Sequence, residues 1–338
     1  MSTSSACTAR LIDVSSEEAG TRLDRVVATH FPELSRTRVQ ELIEEGLVLL
    51  NGKPAKDSHK VHANDLIRVV PQERPGLRAE AEEIPLDVLY EDEDVIAINK
   101  PAGMSVHAGA GNSHGTLVNA LLGRGQALSQ GSDPLRPGIV HRLDKETSGI
   151  VLVAKNDFAH AKLSEAFRQR AIRKIYIALV QGHMENEQGR IELPIARDPN
   201  RRTRMTAAKR AGLLPKARAA RTDWRLLATI DSTSMLEVQL HTGRTHQIRV
   251  HFSALRHPVV GDTLYGAAGQ LHVGRTTLPS LGRNFLHAAK IAFAQPHTGK
   301  SVRLSAPLPA KLLEYLAKLG EAAGEEQGRI DAALKSFL

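Results

Sequence analysis

The chain has 338 residues, 41% of them hydrophobic and 4% aromatic, with one cysteine and an excess of eight Lys and Arg over Asp and Glu (45 − 37). That length suits about two domains with a full core. No apolar run reaches the ~18 residues of a membrane helix, and the Ser/Thr-rich residues 1–14 lack the apolar centre of a secretion signal, so a soluble, cytoplasmic chain is expected. The lone Cys7 excludes an internal disulfide and a thiolate metal cluster. The basic excess favours a polyanionic partner. So few aromatics argue for phosphate and shape contacts rather than a row of stacking platforms.

In chain order, residues 1–15 read as a frayed tail. Leu23, Val26, Val27 and His30 fall at i, i+3, i+4 and i+7, which predicts a helix over 22–30. Ser35 is the expected N-cap of a second helix with Val39, Leu42 and Ile43 inward and Gly46 at its end. Strands are expected at 47–50 and 66–70, with Asn51-Gly52 as a tight hairpin signal between them. Residues 71–83 are rich in Pro, Glu and Arg and read as a linker.

Beyond it, Asp94–Lys100 is a strand stopped by Pro101. A short helix over 116–122, a Gly-rich loop over 125–137 and an apolar strand over 138–143 follow. Asp144 comes next, flanked by Arg142 and Lys145. Gly149 then lets the backbone turn into the apolar run 150–154. Asp157 is the expected cap of a helix to Arg170, with Ala161, Phe167 and Ala171 among its apolar positions. Residues 173–180 form a strand holding Tyr176. Residues 197–225 carry ten Lys and Arg against Asp198 and Asp223, which predicts a solvated loop or a mobile basic hairpin gripping a nucleic-acid backbone. A strand over 234–241 leads to a helix capped by Thr245, with Ile248, His251, Phe252 and Leu255 inward and Arg249 and His246 turned elsewhere. Residues 312–338 read as one or two surface helices. Strands close in sequence with few helices between them give an α+β fold with a mixed, largely antiparallel sheet.

Cations beside Asp144 favour its ionised form, which suits a nucleophile. Taken singly, Asp144 is equally a turn residue, His141 a packed histidine and Tyr176 a core residue. His246 and His251 lie five apart, unlike the i, i+4 pair of a helical zinc site, so a metal-dependent hydrolase is disfavoured. There is no Gly-x-Gly-x-x-Gly or phosphate-loop signature.

Four segments considered together go further. His141-Arg142-Leu143-Asp144-x-x-Thr147-Ser148-Gly149 resembles the signature of the RluA-type RNA pseudouridine synthases. So do 99–107 upstream, Arg173-Lys174-Ile175-Tyr176, and 242–251 followed by Gly261-Asp262 and Tyr265-Gly266. The match is closest to the RluD-like branch. Residues 22–60 resemble the Alpha-L RNA-binding motif, carried by Arg22-Leu23-Asp24, Ser35-Arg36 and 48–53. The resemblance implies isomerisation of uridine in RNA, most directly 23S ribosomal RNA or a large-subunit precursor, by a cytoplasmic monomer needing no cofactor or metal. Asp144 is then the nucleophile, Arg249 its ion-pair partner, and Tyr176 stacks on the base or accepts a proton. Arg142, Arg36, Arg38, Lys53, Arg201, Arg202, Arg204 and Arg244 are the implied RNA contacts. The implied organisation is a flexible tail (1–15), an RNA-binding domain (16–72), a linker (73–83), a catalytic domain with a central cleft (84–311) and a helical tail (312–338). A catalytically idle ribosome-assembly factor would explain the charge and the N-terminal module, but not why Asp144, Tyr176 and Arg249 all sit in matching segments.

Overall fold

The computed structural model describes residues 9–32, 34, 36–70, 80–108, 114–129, 136–201, 203–208 and 216–337. The expected Ser35 cap, Arg202, most of the linker, part of the 125–137 loop and the side chain of Arg38 lie outside the described residues. The chain divides into two compact units, Met1–Leu77 and Arg78–Leu338.

The first unit runs β1 (Arg10–Asp13), α1 (Leu23–His30), α2 (Arg36–Glu44), β2 (Val48–Leu50), β3 (Lys53–Pro54) and β4 (Leu66–Val69). Its four strands form an antiparallel sheet in the order β1-β4-β2-β3. Leu23, Val27, Val39, Leu42 and Ile67 are wholly buried between sheet and helices. Two expectations need correction. Residues 10–13 are not tail: β1 pairs along β4 and buries Ile12, too short a pattern to read as a strand alone. His30 does not face inward. It is exposed, with Nε2 2.8 Å from Glu18 Oε1, and Phe31 fills the core instead. Asn51 and Gly52 both take positive φ (50° and 76°), as a two-residue hairpin turn requires.

The second unit contains β5 (Val88–Glu91), β6 (Val95–Lys100), α3 (Leu117–Gly123), β7 (Ser148–Ala154), α4 (Asp157–Arg168), β8 (Arg173–Gln181), β9 (Gln188–Ile191), β10 (Ile195–Arg197), β11 (Met205–Ala207), β12 (Thr222–Ile230), β13 (Thr233–Leu240), α5 (Gln247–Ala254), β14 (His272–Val273), β15 (Thr276–Thr277), β16 (Leu286–Ala294), β17 (Ser301–Ser305), α6 (Ala310–Ala323) and α7 (Gln327–Leu334). Nine strands form one sheet, ordered β5-β6-β7-β16-β8-β13-β12-β9 with β17 added on β16. Every pairing is antiparallel except β7 with β16, which run parallel at Ser148/His287 and Gly149/Ala288. The fold is therefore α+β, with a mixed and mostly antiparallel sheet. Among the described residues no helix is long and apolar enough to cross a membrane.

β7 sits at the centre of this sheet and is buried along its whole length, which explains its unbroken apolar run. The expected strand over 138–143 is absent. Gly138 has φ +70° and only an isolated bridge links Ile139 to Val153. Opposite Leu152, the acceptor is a side chain: Leu152 N–H donates to His141 Nε2 at 2.8 Å. An imidazole replaces the backbone rung, so the segment runs irregularly toward Asp144.

α4 is capped by Asn156, which accepts from Ala159 N at 2.8 Å, rather than by Asp157. Asp157 instead accepts from Ser129 Oγ at 2.6 Å. Its buried face is Ala159 and Leu163, while Ala161 and Ala171 are exposed. Part of the basic block is sheet. β10 and β11 form a hairpin, and β12 buries Thr222 and Trp224 while Arg221 pairs with Asp223 at 2.7 Å. Nor are α6 and α7 merely superficial: Leu312, Leu316, Leu319, Ile330, Leu334 and Phe337 join the main core.

Candidate active site

Asp144 stands at the start of a tight turn, its carbonyl accepting from Thr147 N at 3.1 Å, immediately before β7. It lines a cavity of about 430 Å³ shared by the 140–147 loop, α4, β8, the 240–247 loop and α5. The cation that holds its carboxylate is not an adjacent residue. Arg142 and Lys145 are exposed, whereas Arg249 Nη1 donates to Asp144 Oδ2 at 3.1 Å from the first turn of α5.

Arg249 is itself clamped. Its Nε and Nη2 donate to Asp262 Oδ2 and Oδ1 at 2.6 and 2.9 Å, a buried two-pronged pair. Burial alone would lower this guanidinium's pKa, but the hydrogen bonds to Asp262 and the charges of Asp262 and Asp144 outweigh it and raise the value. Asp262 reaches this position because Gly261 turns the chain at φ +79°, where a Cβ would lie 2.0 Å from the Arg283 carbonyl oxygen. Tyr265 completes the support. Its ring centre lies 4.9 Å from the Arg249 guanidinium and 5.2 Å from that of Arg204. Tyr265 Oη accepts Met205 N–H at 2.9 Å, so its own proton is available to His246 Nδ1 at 2.7 Å. The imidazole proton then sits on Nε2, 3.9 Å from Asp144 Oδ1.

Gln247 anchors the loop that delivers Arg249. Its amide nitrogen donates to Arg221 O and Thr222 Oγ1, and its oxygen accepts from Thr242 Oγ1 and Arg244 N, at 2.6–3.1 Å. With that side chain fixing the loop, α5 starts at His246 in the left-handed region (φ 57°) with no side-chain cap, and Thr245 does not serve as one. Of the expected inward face, Ile248, His251 and Phe252 are buried and Leu255 is exposed. His251 is a satisfied core residue, its ring nitrogens 2.8 Å from Thr222 Oγ1 and 2.9 Å from Leu193 O. Tyr176 is buried on β8 and borders the same cavity. Desolvation, reinforced by the charge of Asp144, pushes its phenol pKa upward.

Behind the Asp144 turn lies a second polar layer. Arg283 Nη2 donates to Ser148 Oγ (2.9 Å) and Leu286 O (3.0 Å), and Ser148 Oγ is 2.9 Å from His287 Nδ1. His287 Nε2 lies 3.1 Å from Ala306 O, so it carries the proton and Nδ1 accepts from the serine. Lys100, fully buried, donates to Pro101 O, Met104 O and Lys145 O at 2.7, 2.8 and 3.2 Å. Burial pulls its pKa down to about 7.

Residues 94–254 match the model of the RNA pseudouridylate synthase family, and 21–67 match the S4 domain family. An uncharacterized RNA pseudouridine synthase of Chloroflexus aurantiacus is 46% identical over 315 residues, covering 93% of this chain and 95% of that one. The ribosomal large subunit pseudouridine synthase D of Xylella fastidiosa is 43% identical over 310 residues, 90% of each. The structure of human RNA pseudouridylate synthase domain containing 4 superposes with a TM-score of 0.53 at 25% identity, covering 69% of this chain and 92% of that one. The chain belongs to the RNA pseudouridine synthase family. It is an isomerase with an S4 domain at its N-terminal end.

In this synthase the structure brings Asp144, Tyr176, Arg249, Arg142 and Arg244 to one cavity. Arg204 covers the Tyr265 ring, and Arg201 is exposed beside the β10–β11 hairpin. In the S4 domain, Lys53 is exposed, but Arg36 is committed. With Arg22 and Gln40 it encloses the buried Asp24, at 2.9, 3.0 and 2.8 Å. Sequence reasoning assigned no role to Asp262, Tyr265, Gln247 or the Arg283–Ser148–His287 layer. The Gly261-Asp262 pair was the available signal, since a glycine forced to positive φ next to an acid marks a placed carboxylate.

Proposed function

We propose that this synthase isomerises uridines of large-subunit ribosomal RNA, with Asp144 as the nucleophile. The observation that carries the reading is the Asp144–Arg249–Asp262 chain: a part-exposed carboxylate in a cavity, held by a guanidinium that a second, buried carboxylate fixes. Relatives named ribosomal large subunit pseudouridine synthase D in Xylella fastidiosa and Nitrosomonas europaea support the substrate class.

The reaction breaks the bond from uracil N1 to ribose C1′ and rejoins the base through C5. The C5 proton leaves and N1 gains one, so nothing is oxidised or reduced. Asp144 acts ionised, either attacking C1′ or assisting elimination to a glycal. Both routes need an unprotonated carboxylate. Arg249 keeps it aimed and cannot itself lose its charge. Tyr176 lies under the base and stacks on it or takes a proton in the last step. A stacked duplex base is out of reach of this cavity, so the uridine is flipped out, with Arg142 at the mouth to fill the space it leaves. The S4 domain and the β10–β11 hairpin grip the backbone, and the chain works as a monomer in the cytoplasm.

Mapping pseudouridine in ribosomal RNA from cells with and without the gene tests the reading. The sites should vanish without it and return with the wild type, but not with Asp144→Asn, which should still bind RNA within a few-fold. Pseudouridine formed by Asp144→Asn would refute the role given to Asp144.

A further inference from the structure

The cavity is lined by two chemically different groups of residues. One comprises Asp144 with Arg249, His246 and Tyr176. The other comprises Lys174, Arg170 and Arg244, and among the described residues no carboxylate pairs with any of these three. Arg249 is occupied by two aspartates and Arg168 by Glu165. Gathered cations without an acid repel one another, and such a cluster in a cleft calls for an anion.

Lys174 is the innermost of them. It lies two residues before Tyr176 on β8, so both side chains leave the same face of the strand about 7 Å apart. That separation is comparable to one step of nucleic-acid backbone. Its amine stands over the Phe167 ring, 5.5 Å from the ring centre, and Gly243 leaves room beside it, a Cβ there standing 3.7 Å away. Burial lowers this ammonium to about 8, so it gains most from an anion that restores its charge. Arg170 ends α4 in the left-handed conformation (φ 62°), where glycine is usual. Ala171 N closes the helix on Ala166 O at 2.9 Å. An arginine kept at a strained position on a cavity rim points to a task for its side chain. Arg244 donates Nε to Ala219 O at 3.2 Å and is held near the like charges of Arg218 and Arg170.

We propose that Lys174, Arg170 and Arg244 form a phosphate seat that takes a backbone phosphate of the nucleotide whose base lies at Asp144. This rests on the uridine-isomerising reading above. The seat fixes the ribose from its phosphate while Asp144 approaches C1′, so the cavity measures a nucleotide rather than a base.

The test uses the full chain and three probes, uridine, 5′-UMP and 3′-UMP, read by thermal shift. One UMP isomer should protect wild type at concentrations at least about tenfold below uridine, and the better isomer identifies which phosphate is seated. Lys174→Met and Arg244→Gln should bring UMP down to the level of uridine, whereas Lys174→Arg should keep the preference. Equal protection by uridine and both UMP isomers in wild type would overturn the proposal, as would an undiminished preference in Lys174→Met and Arg244→Gln. A second arm needs turnover. In an RNA carrying an uncharged methylphosphonate at the phosphate so identified, wild type should lose about tenfold in kcat/KM and Lys174→Met should lose nothing further. Independent, multiplying losses would also overturn it. The thermal arm requires no catalysis, so absence of pseudouridine formation by wild type would sink the functional reading without being mistaken for failure of the seat.

Discussion

Replacing Asp262 with Asn separates holding Arg249 from reacting. Asp262 gives the guanidinium two charge-assisted hydrogen bonds, at 2.6 and 2.9 Å, in a nearly dry site. The amide keeps one acceptor and turns a donor against the second N–H. Removing one charge of a buried pair costs about 3–5 kcal/mol. At roughly 2–4 °C per kcal/mol for a domain of this size, the melting temperature should drop by about 6–20 °C. Arg249 then leans wholly on Asp144 and draws it from its aim, and a misplacement on the order of 1 Å costs about 100-fold in kcat. The assay is release of tritium from RNA labelled at uridine C5, the hydrogen that the isomerisation expels. Binding to RNA should be little changed, since neither Asp262 nor the buried Arg249 faces the outside. Unaltered kcat in a folded Asp262→Asn protein would refute the view that a fixed guanidinium aims the nucleophile.

Gly149→Ala should be far worse than a typical glycine change. Its Cβ would lie 2.3 Å from the Ala288 carbonyl oxygen at φ +113°, so a loss of about 3 kcal/mol or more is expected by denaturant titration. Gly299→Ala, also at positive φ but with nothing within 4 Å, should cost only about 1–2 kcal/mol. Burial depresses His287 to about 4 and His141 to about 3. The unfolded chain takes up these protons near 6.5 and the native state does not, so stability is present above pH 6.5 and falls as pH drops toward 4. Fluorescence of Trp224, the single tryptophan, should report this fall, and His287→Gln should make it shallower. In the S4 domain, burial opposes ionisation of Asp24, but hydrogen bonds from Arg22, Arg36 and Gln40 prevail and bring it to about 2. It therefore contributes roughly 2 kcal/mol that is present above pH 3.8 and lost as pH falls toward 2. Hydrogen exchange at Val26 and Val27 should speed up in that window, and Asp24→Asn should abolish the change.

The site was legible where residues act through their own identity. Asp144, Arg249 and Tyr176 sit in short motifs, and the amphipathic spacing of α1, α2 and α5 gave their positions. It failed where a side chain does a backbone's work. His141 accepting the Leu152 N–H removes a strand that hydropathy predicts. Gln247 fixes the loop ahead of α5, which starts without the cap expected of Thr245. Gly149 was read as a turn, but it is required because β16 crosses at that point. Nor could charge counting separate the arginines of the basic block that face solvent from those paired with Asp223 and Glu237. These partners are distant in sequence, and no local pattern encodes them.

That distance has a bearing on how the protein is made. Arg249 meets Asp144 across 105 residues, Arg283 meets Ser148 across 135, and His287 meets Ser148 across 139. A nascent chain that has emerged only as far as β11 carries the whole Asp144 motif but lacks Arg249, Arg283 and His287. Parallel pairing of β7 with β16 must wait for still later synthesis, and such non-local closure is slow. A chain cut short before Arg249 is therefore expected to hold the Asp144 carboxylate without its guanidinium partner.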